Sequence, residues 1–400
     1  MEKRKLLIIL LTLGVYLLTT GLSYSLFTRQ SSQEEDSKKT ATNAQNDYEA
    51  LEFDPNAKKT EECPLNGAKY SKEQRKWWED HRPMGIMIEN HPEARPQSGL
   101  SFADVVYEAV AEGGITRFMG VFYCQDAGIV GPVSSARTYY LDFISEYGIY
   151  PLYVHWGGAN CDREGGGGCA NGAKADALGH IVKYGWFHYN AMDGMKNIPF
   201  PAVKDRPLRT GQQVATEHQK YGTTSLLWKE AAKRGLTEKD KDGDLWDDTF
   251  VPYSFKDDAD ESLRPVKQDI HIEFWESQPG FNVDWKYDPT TNTYLRNVKG
   301  GAHKDRNNGR QISVKNVIVL YMEESNANDG YPGNLHLLYG TKGKGDALFF
   351  TDGKEMKGTW RKDGREERTQ LFDENNKEIE FNRGATWFTI VPLEGVVDVN

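Results

Sequence analysis

The chain has 400 residues, with 59 acidic against 49 basic side chains and a formal net charge of −10. Hydrophobic residues make up 38% and aromatic residues 12%, which is enough to build a core and excludes a wholly disordered chain. The acidic balance argues against binding to nucleic acid, because phosphates require a face rich in Lys and Arg. Thirty-nine glycines and 16 prolines predict many turns and short elements.

The N-terminus carries the signals of export. Lys3, Arg4 and Lys5 precede the uncharged run Leu6–Phe27, whose 22 residues are long enough to span about 30 Å of hydrocarbon as a helix. The basic flank would hold the N-terminus in the cytoplasm. We therefore expect residues 6–27 to anchor the chain in the bacterial membrane as a single pass, with a cleaved signal peptide as the open alternative. In either case the C-terminal body is extracytoplasmic.

Residues 28–62 separate this N-terminal segment (1–27) from the rest of the chain. They are rich in Ser, Thr, Asn, Gln, Lys and Glu and contain few large apolar residues. Such a segment cannot bury enough surface to offset its ordering entropy, so we expect a disordered linker. The change of pattern near Pro265 divides the remainder into an N-terminal domain, 63–264, and a C-terminal domain, 265–400.

The two parts differ in their predicted elements. In the first, the patterns predict strands at Met84–Glu89, Ile115–Cys124 and Leu152–Trp156. They predict helices at Thr138–Tyr147, Ala175–Tyr184 and Ala215–Arg234. In the second, they predict strands only, at Asp269–Trp275, Asn282–Tyr287, Thr293–Arg296, Val314–Met322, Leu335–Tyr339, Leu348–Thr351, Lys357–Arg361 and Trp387–Val391. Asp352-Gly353 predicts a D-G hairpin turn between Leu348–Thr351 and Lys357–Arg361. We expect an α/β N-terminal part, a layered mixed sheet with helices, and an antiparallel β-rich C-terminal part. The two could pack as one layered α+β unit.

Four cysteines on an exported chain favour disulfide bonds. Cys161 and Cys169 bracket a loop with four consecutive glycines that is flexible enough to bring them together. Cys63 and Cys124 would then pair with each other and join the start of the domain to a strand. Free thiols are the open alternative, whereas zinc is disfavoured because no C-x-x-C spacing occurs.

Several long strings resemble the YerB-like family of bacterial envelope lipoproteins. They are Met84–Leu100, Ala103–Phe118, Gly131–Tyr139 and Tyr153–Ala159, followed by Tyr287–Tyr294, Lys315–Val319, Gly353–Trp360 and Thr386–Pro392. The resemblance implies an exported, membrane-attached protein with a layered α/β fold and no assigned activity. This chain departs from the family in one respect, since the apolar run 6–27 stands in place of a cysteine for lipid attachment.

Polar residues cluster at predicted strand ends and at a predicted helix start, where open α/β sheets bind ligands. In one interpretation they are structural, with Glu89, Glu108 and Glu112 paired with arginines. In the other they form an anion-binding cleft, because Arg side chains, Ser hydroxyls and backbone N–H groups bind phosphate or carboxylate. The ligand-binding candidates of that cleft are Arg95, Arg117, Arg137, Ser134, Ser135, Glu89, Asn90, Gly157 and Gly158.

No standard nucleophile motif occurs, which disfavours the familiar hydrolase classes. His155 and Glu112 are the candidates for a catalytic proton transfer. The sequence therefore favours a membrane-anchored envelope protein that binds an anionic ligand, such as a cell-wall precursor, or a partner protein. An envelope enzyme, a phosphotransferase or hydrolase acting on a phosphate-bearing or glycan precursor, is the alternative.

An acidic loop offers a weak calcium candidate. Asp240, Asp242, Asp244 and Asp248 occupy relative positions 1, 3, 5 and 9, similar to a calcium-binding loop. Leu245 stands where such loops need Gly, and position 12 lacks the usual Glu. We therefore expect a solvated acidic loop, and no other cofactor is implied.

Overall fold

A computed structural model describes residues 50–160, 172–198, 202–330, 333 and 336–400. The predicted anchor at 6–27, most of the predicted linker and the predicted Cys161–Cys169 bond lie outside these residues. Within them, no helix is both long and apolar enough to cross a membrane. Residues 50–400 form one compact unit.

Helices are short in the described part of the chain. Each α-helix has ten residues or fewer: α1 Lys72–Trp78, α2 Thr138–Ile144, α3 Gly172–Ala175, α4 Ala177–Lys183 and α5 Thr224–Lys233. Single 3₁₀ turns lie at Pro92–Ala94, Leu100–Phe102, Thr216–Gln219, Glu261–Leu263 and Pro279–Phe281.

Strands make up most of the regular structure. Those of the first half are β1 Lys59–Glu62, β2 Lys69–Ser71, β3 Met84–Glu89, β4 Val105–Glu112, β5 Ile115–Phe122, β6 Ile129–Val130, β7 Leu152–His155, β8 Ala191–Asp193, β9 Val203–Asp205, β10 Lys220–Thr223 and β11 Ser254–Lys256. Those of the second half are β12 Asp269–Glu273, β13 Val283–Asp288, β14 Thr293–Val298, β15 Gly301–Ala302, β16 Ser313–Val314, β17 Asn316–Met322, β18 Glu324–Asn326, β19 Leu337–Tyr339, β20 Gly343–Thr351, β21 Lys354–Lys362, β22 Gln370–Asp373, β23 Glu380–Asn382, β24 Thr386–Pro392 and β25 Val396–Val399.

One ten-stranded sheet contains strands from both halves, in the order β22-β21-β20-β17-β24-β4-β5-β3-β7-β8. A smaller antiparallel sheet follows the order β15-β14-β13-β12-β25, with β16 also paired to β14. The C-terminal part is therefore antiparallel and β-rich, and the N-terminal part is mixed α/β, as the sequence predicts. The exception is β24, which is parallel to both of its neighbours, β17 and β4, and joins the halves.

Local sequence explains several element boundaries. Asp352 and Gly353 both have positive φ, at 54° and 70°, as the two central residues of a tight type I′ hairpin turn require, and they connect β20 to β21. The predicted D-G hairpin is confirmed. Gly235, with φ of 76°, follows the last turn of α5 and allows the helix to end there.

One predicted helix is wrong in its first nine residues, 215–223. The range Ala215–Arg234 contains a 3₁₀ turn and strand β10 before α5 begins at Thr224. Strand β10 pairs with β6 and with β9, and Tyr221 at its centre is fully buried. Pairing with β9 and with β6, which lies far earlier in the sequence, therefore overrides the local helical periodicity.

Cys63 and Cys124 form the predicted disulfide bond. It connects the segment before β2 to the chain just after β5, across a sequence separation of 61 residues. A closed loop of that length restricts the unfolded chain and stabilises the fold by roughly 4 kcal/mol in the chain-entropy account.

Glu108 on β4 and Arg296 on β14 form a buried ion pair that joins the two halves. The Arg296 Nη2 donates to both Glu108 carboxylate oxygens at 2.8 Å, and both side chains are 0% exposed. The same carboxylate accepts hydrogen bonds from the Thr116 hydroxyl and the Trp387 indole N–H, each at 3.0 Å. The Arg296 guanidinium also lies 4.7 Å from the centre of the Trp387 ring, a cation–π contact.

Removing the charge of Glu108 should therefore destabilise the whole fold. In Glu108→Gln the Arg296 charge stays buried without a counter-ion, and we expect the free energy of unfolding to fall by about 3–5 kcal/mol. Urea unfolding followed by circular dichroism measures this loss. Asp363→Asn is the control, because it breaks an exposed pair with Arg361 and should change little. Equal, small effects of both changes would contradict the central role of the buried pair.

Candidate functional site

The carboxyl ends of four strands meet along one edge of the large sheet. Strands β3, β7 and β8 are parallel neighbours, and β4 runs in the same direction because both β3 and β4 are antiparallel to β5. These strands end at Glu89, His155, Asp193 and Glu112. Sheets of this kind bind ligands at this edge, so the polar cluster lies where a site is expected.

Arg117 and Arg137 share the carboxylate of Glu112. The Arg117 Nη2 donates to Glu112 Oε1 at 2.9 Å, and the Arg137 Nη2 forms a close ion pair with Glu112 Oε2. Arg117 lies at the start of β5, and Arg137 caps α2. The two arginine side chains are 3% and 5% exposed, whereas that of Glu112 is 28% exposed. Glu112 is therefore the solvent-facing member of this cluster.

Glu89 is the second counter-ion of Arg117. Its Oε2 lies 3.2 Å from the Arg117 Nη2 and accepts the Ser134 hydroxyl at 2.8 Å. Its Oε1 accepts the backbone N–H groups of Asn90 and His91 at 3.0 and 3.2 Å. With both oxygens occupied, Glu89 serves as a structural acceptor, and no lone pair is directed at a ligand.

The charges of the cluster fix its ionisation. Burial opposes the charged form of each carboxyl group, but Arg117 together with the hydrogen bonds from the Ser134 hydroxyl and the His91 N–H outweighs it and lowers the pKa of Glu89. Arg117 and Arg137 together hold the pKa of Glu112 well below its ordinary value, also against burial. Both glutamates are therefore ionised at neutral pH, and two negative charges balance two positive ones.

Several buried N–H groups of the arginines lack a hydrogen-bond partner among the described residues. These atoms are Nε and Nη1 of Arg117 and Nε of Arg137. An unpaired buried donor costs free energy, so water or a ligand group is expected beside these atoms.

His155 has one ring nitrogen in use. Its Nδ1 donates to the carbonyl oxygen of Gly157 at 2.7 Å, while the buried Nε2 has no partner in the described part of the chain. Burial lowers the pKa of His155, so the ring is neutral and Nε2 is a free acceptor. The Gly157 N–H donates to Asp193, and an added Cβ on Gly158 would lie 2.9 Å from Ala136. Both glycines thus serve close packing after β7.

Arg95 does not join the other two arginines. Its Nε donates to Asn90 Oδ1 at 3.0 Å, and its guanidinium lies 5.1 Å from the centre of the Phe281 ring. Burial and the positive charge of Arg296 lower the pKa of Arg95 to about 10. Asn90 donates in turn to Thr116, so Arg95 belongs to the network around Glu108. The structure therefore brings together only Arg117 and Arg137 of the three predicted arginines. The predicted ligand residue Ser135 lies between Ser134 and α2 and is partly exposed.

The acidic loop uses its carboxylates internally. Asp240 Oδ1 accepts the backbone N–H groups of Asp242 and Asp244 at 2.9 and 3.1 Å, and Asp248 accepts that of Leu245 at 3.1 Å. These are turn contacts within the loop.

Two clusters elsewhere contain metal-ligating side chains. In the first, Asp104 lies beside Cys63 and Cys124, but their disulfide bond removes the thiolates that a metal would need. In the second, His91 and His218 lie near Glu93 with their rings stacked 4.7 Å apart and 4° from parallel. A ring nitrogen binds an ion that lies in the plane of its ring, and two stacked parallel planes have no point in common, so this geometry does not favour one ion bound to both rings.

The prediction from sequence missed His336. Its side chain lies 3.7 Å from Glu112 Oε2 and its Nδ1 lies 2.8 Å from Asp329 Oδ2, so the second half of the chain contributes to the edge. Burial and the positive charge of Arg137 lower the pKa of His336, which keeps the ring neutral. No local motif marks this histidine, because only the fold brings it to Glu112.

The lowered pKa of Glu112 predicts a specific dependence of stability on pH. A carboxyl group whose pKa is depressed by folding contributes stability above its unfolded pKa of about 4.3, and this contribution is lost as the pH falls through the folded value. Glu112→Gln should lower the free energy of unfolding at pH 7 by roughly 1–3 kcal/mol. It should also lose less stability than the parent between pH 5 and pH 3. Urea unfolding at several pH values measures both effects.

Glu374→Gln provides a matched control, because Glu374 is exposed and remote from the arginines in sequence. This variant should reproduce the pH profile of the parent protein. An identical acid slope in Glu112→Gln and in the parent would contradict the ion pairs described above.

Comparisons with known proteins agree with this architecture. Two family models match, described as the N-terminal and C-terminal domains of a protein of unknown function, DUF3048, at residues 67–237 and 270–388. The chain is 28% identical over 339 residues to "Putative lipoprotein YerB" of Bacillus subtilis (strain 168), covering 84% of this chain and 88% of that protein.

A solved structure has the same fold. The crystal structure of the YerB protein from Bacillus subtilis superposes with a TM-score of 0.66 at 22% identity, covering 85% of this chain and all of that chain. Since the two family models together match more than half of the sequence in the expected order, the chain belongs to the YerB-like DUF3048 family.

Proposed function

We propose that this chain is a membrane-attached, extracytoplasmic envelope protein whose body binds an anionic envelope ligand. The attachment is supported by the basic residues 3–5, by the uncharged run 6–27 and by the lipoprotein name of the relative. In this proposal residues 6–27 remain as a single-pass anchor and replace the lipid of the relative.

A reporter fused after Asn400 tests the location. We expect alkaline phosphatase to be active there, because it requires export, and green fluorescent protein to remain dark when exported unfolded. The fusion should sediment with membranes and resist extraction by high salt. A fluorescent fusion in the soluble cytoplasm would refute the proposed location, and an exported but soluble fusion would identify residues 6–27 as a cleaved signal.

One observation carries the binding proposal: Arg117 and Arg137 share Glu112, and three of their buried N–H groups lack a partner among the described residues. A phosphate group pairs with arginines as the Glu112 carboxylate does, but it has at least one acceptor oxygen more and can therefore accept more hydrogen bonds. Glu112 is also the solvent-facing member of the cluster. An incoming anion can therefore displace Glu112 from Arg137 and satisfy the remaining donors.

The geometry supports binding better than catalysis. A general acid or base needs a pKa near the working pH, whereas two arginines hold Glu112 ionised. His155 offers a free Nε2 acceptor, but that atom is buried. An enzyme that transfers or hydrolyses a phosphate-bearing precursor would need these two groups to face a common substrate.

Pyrophosphate titration of three proteins tests the anion site. The parent should bind weakly because Glu112 competes for the arginines, and Glu112→Gln should bind at least about tenfold more tightly because a like charge is removed. Arg137→Ala should not bind. Isothermal titration and thermal melts with and without pyrophosphate measure these differences, and Glu374→Gln should match the parent.

The structural interpretation gives a different pattern in the same experiment. If the ion pairs only stabilise the fold, Glu112→Gln will again be destabilised and so will Arg137→Ala, but pyrophosphate will raise the melting temperature of neither the parent nor Glu112→Gln. That pattern would refute the proposed anion site.

A further inference from the structure

A cleft of about 740 Å³ lies between strand β25 of the small sheet and the face of the large sheet. Val397 of β25 lines one side. Strands β17, β20 and β21 line the other, through residues that include Tyr321 and Leu348. None of the residues that line this cleft belongs to the arginine cluster.

Strand β25 is an edge strand of the small sheet. Within the described residues it pairs only with β12. Asp269 and Asn400 exchange two backbone hydrogen bonds, at 2.8 and 2.9 Å. Hydrogen bonding alternates along antiparallel strands, so the N–H and C=O groups of Val397 and Val399 are directed away from β12. These are the groups that an added strand would use.

The side chains of β25 follow the same alternation. Val397 and Val399 pack against the core, whereas Val396 is 42% exposed and Asp398 is exposed. The strand is therefore held in place by its core-facing residues while its outer backbone edge stays available for pairing.

The lining of the cleft is acidic. Four carboxylates line it against the single cation Lys357. The carboxylates are Asp346, Glu355, Asp373 and Glu374. Such a surface attracts a positively charged partner and repels an acidic one.

We propose that β25 and this cleft bind an extended, Lys- or Arg-rich segment of another protein by strand addition. Backbone hydrogen bonds to Val397 and Val399 would supply affinity, and the carboxylates would select basic side chains. The polar linker of this chain is a poor occupant, since residues 29–62 contain nine acidic and five basic side chains. A second copy would bring a like-charged edge to the same cleft.

Two synthetic peptides of ten residues probe the site, one alternating Lys with Thr and one alternating Glu with Thr. We expect the Lys peptide to bind at least about tenfold more tightly than the Glu peptide in fluorescence anisotropy at low salt. Val397→Pro removes the outward N–H without disturbing the hydrogen bonds to β12, and should weaken binding at least about tenfold. Val397→Ala truncates the same side chain but keeps that N–H, so it should bind the Lys peptide more tightly than Val397→Pro does.

A second variant does not depend on proline being tolerated. Glu355→Lys combined with Glu374→Lys reverses two exposed charges of the lining and should abolish the preference for the Lys peptide. Equal binding of both peptides by the parent would overturn the proposal, and so would equal binding of the Lys peptide by Val397→Pro and Val397→Ala. Sedimentation of the parent as a dimer that Val397→Pro dissociates would also overturn it, because the occupant would be a second copy.

Discussion

The buried pair between Glu108 and Arg296 is the constraint on which the rest of the structure depends. A fully buried charge must have its counter-ion in place. These two residues lie in different sheets and are 188 positions apart in sequence. Their geometry can be satisfied only when the small sheet sits against the large one. Trp387 contacts both charges from β24, so the strand that joins the halves is positioned by the same interaction.

The Glu108–Arg296 pair also helps to hold the candidate site in place. Thr116 donates to Glu108 and accepts from Asn90, which follows directly after the Glu89 end of β3. Arg117, the next residue of β5, is thus fixed between the two networks. The arginine cluster and the buried pair have separate ion pairs but are connected by the same backbone and hydrogen bonds. A change at Glu108 will therefore also disturb the strand ends that carry the arginine cluster.

Local sequence predicts this protein well where a pattern is complete within one element. Strand β3 has the predicted bounds Met84–Glu89, and the Asp352-Gly353 turn has the predicted geometry. The association of Glu89, Glu112, Arg117 and Arg137 could also be foreseen, because strand ends gather polar residues. What could not be foreseen depends on distant partners: Arg296 for Glu108, His336 for Glu112, and strand β10 inside a helical pattern. Burial of Arg95 in the Glu108 network, away from the other arginines, belongs to the same class.

The position of β24 has a consequence for how the chain reaches its native state. Its parallel neighbours β4 and β17 cannot meet without it, and Trp387 lies 279 positions after its acceptor Glu108. Loop closure over such a distance is slow, and until it occurs β4 and β17 each present an unpaired edge rich in apolar residues. In an exported chain of the proposed topology, the residues nearest the anchor cross the membrane first, so the sheet would stay incomplete until β24, near the end of the sequence, has crossed. The need of such a chain for folding factors should therefore be set by how late β24 becomes available.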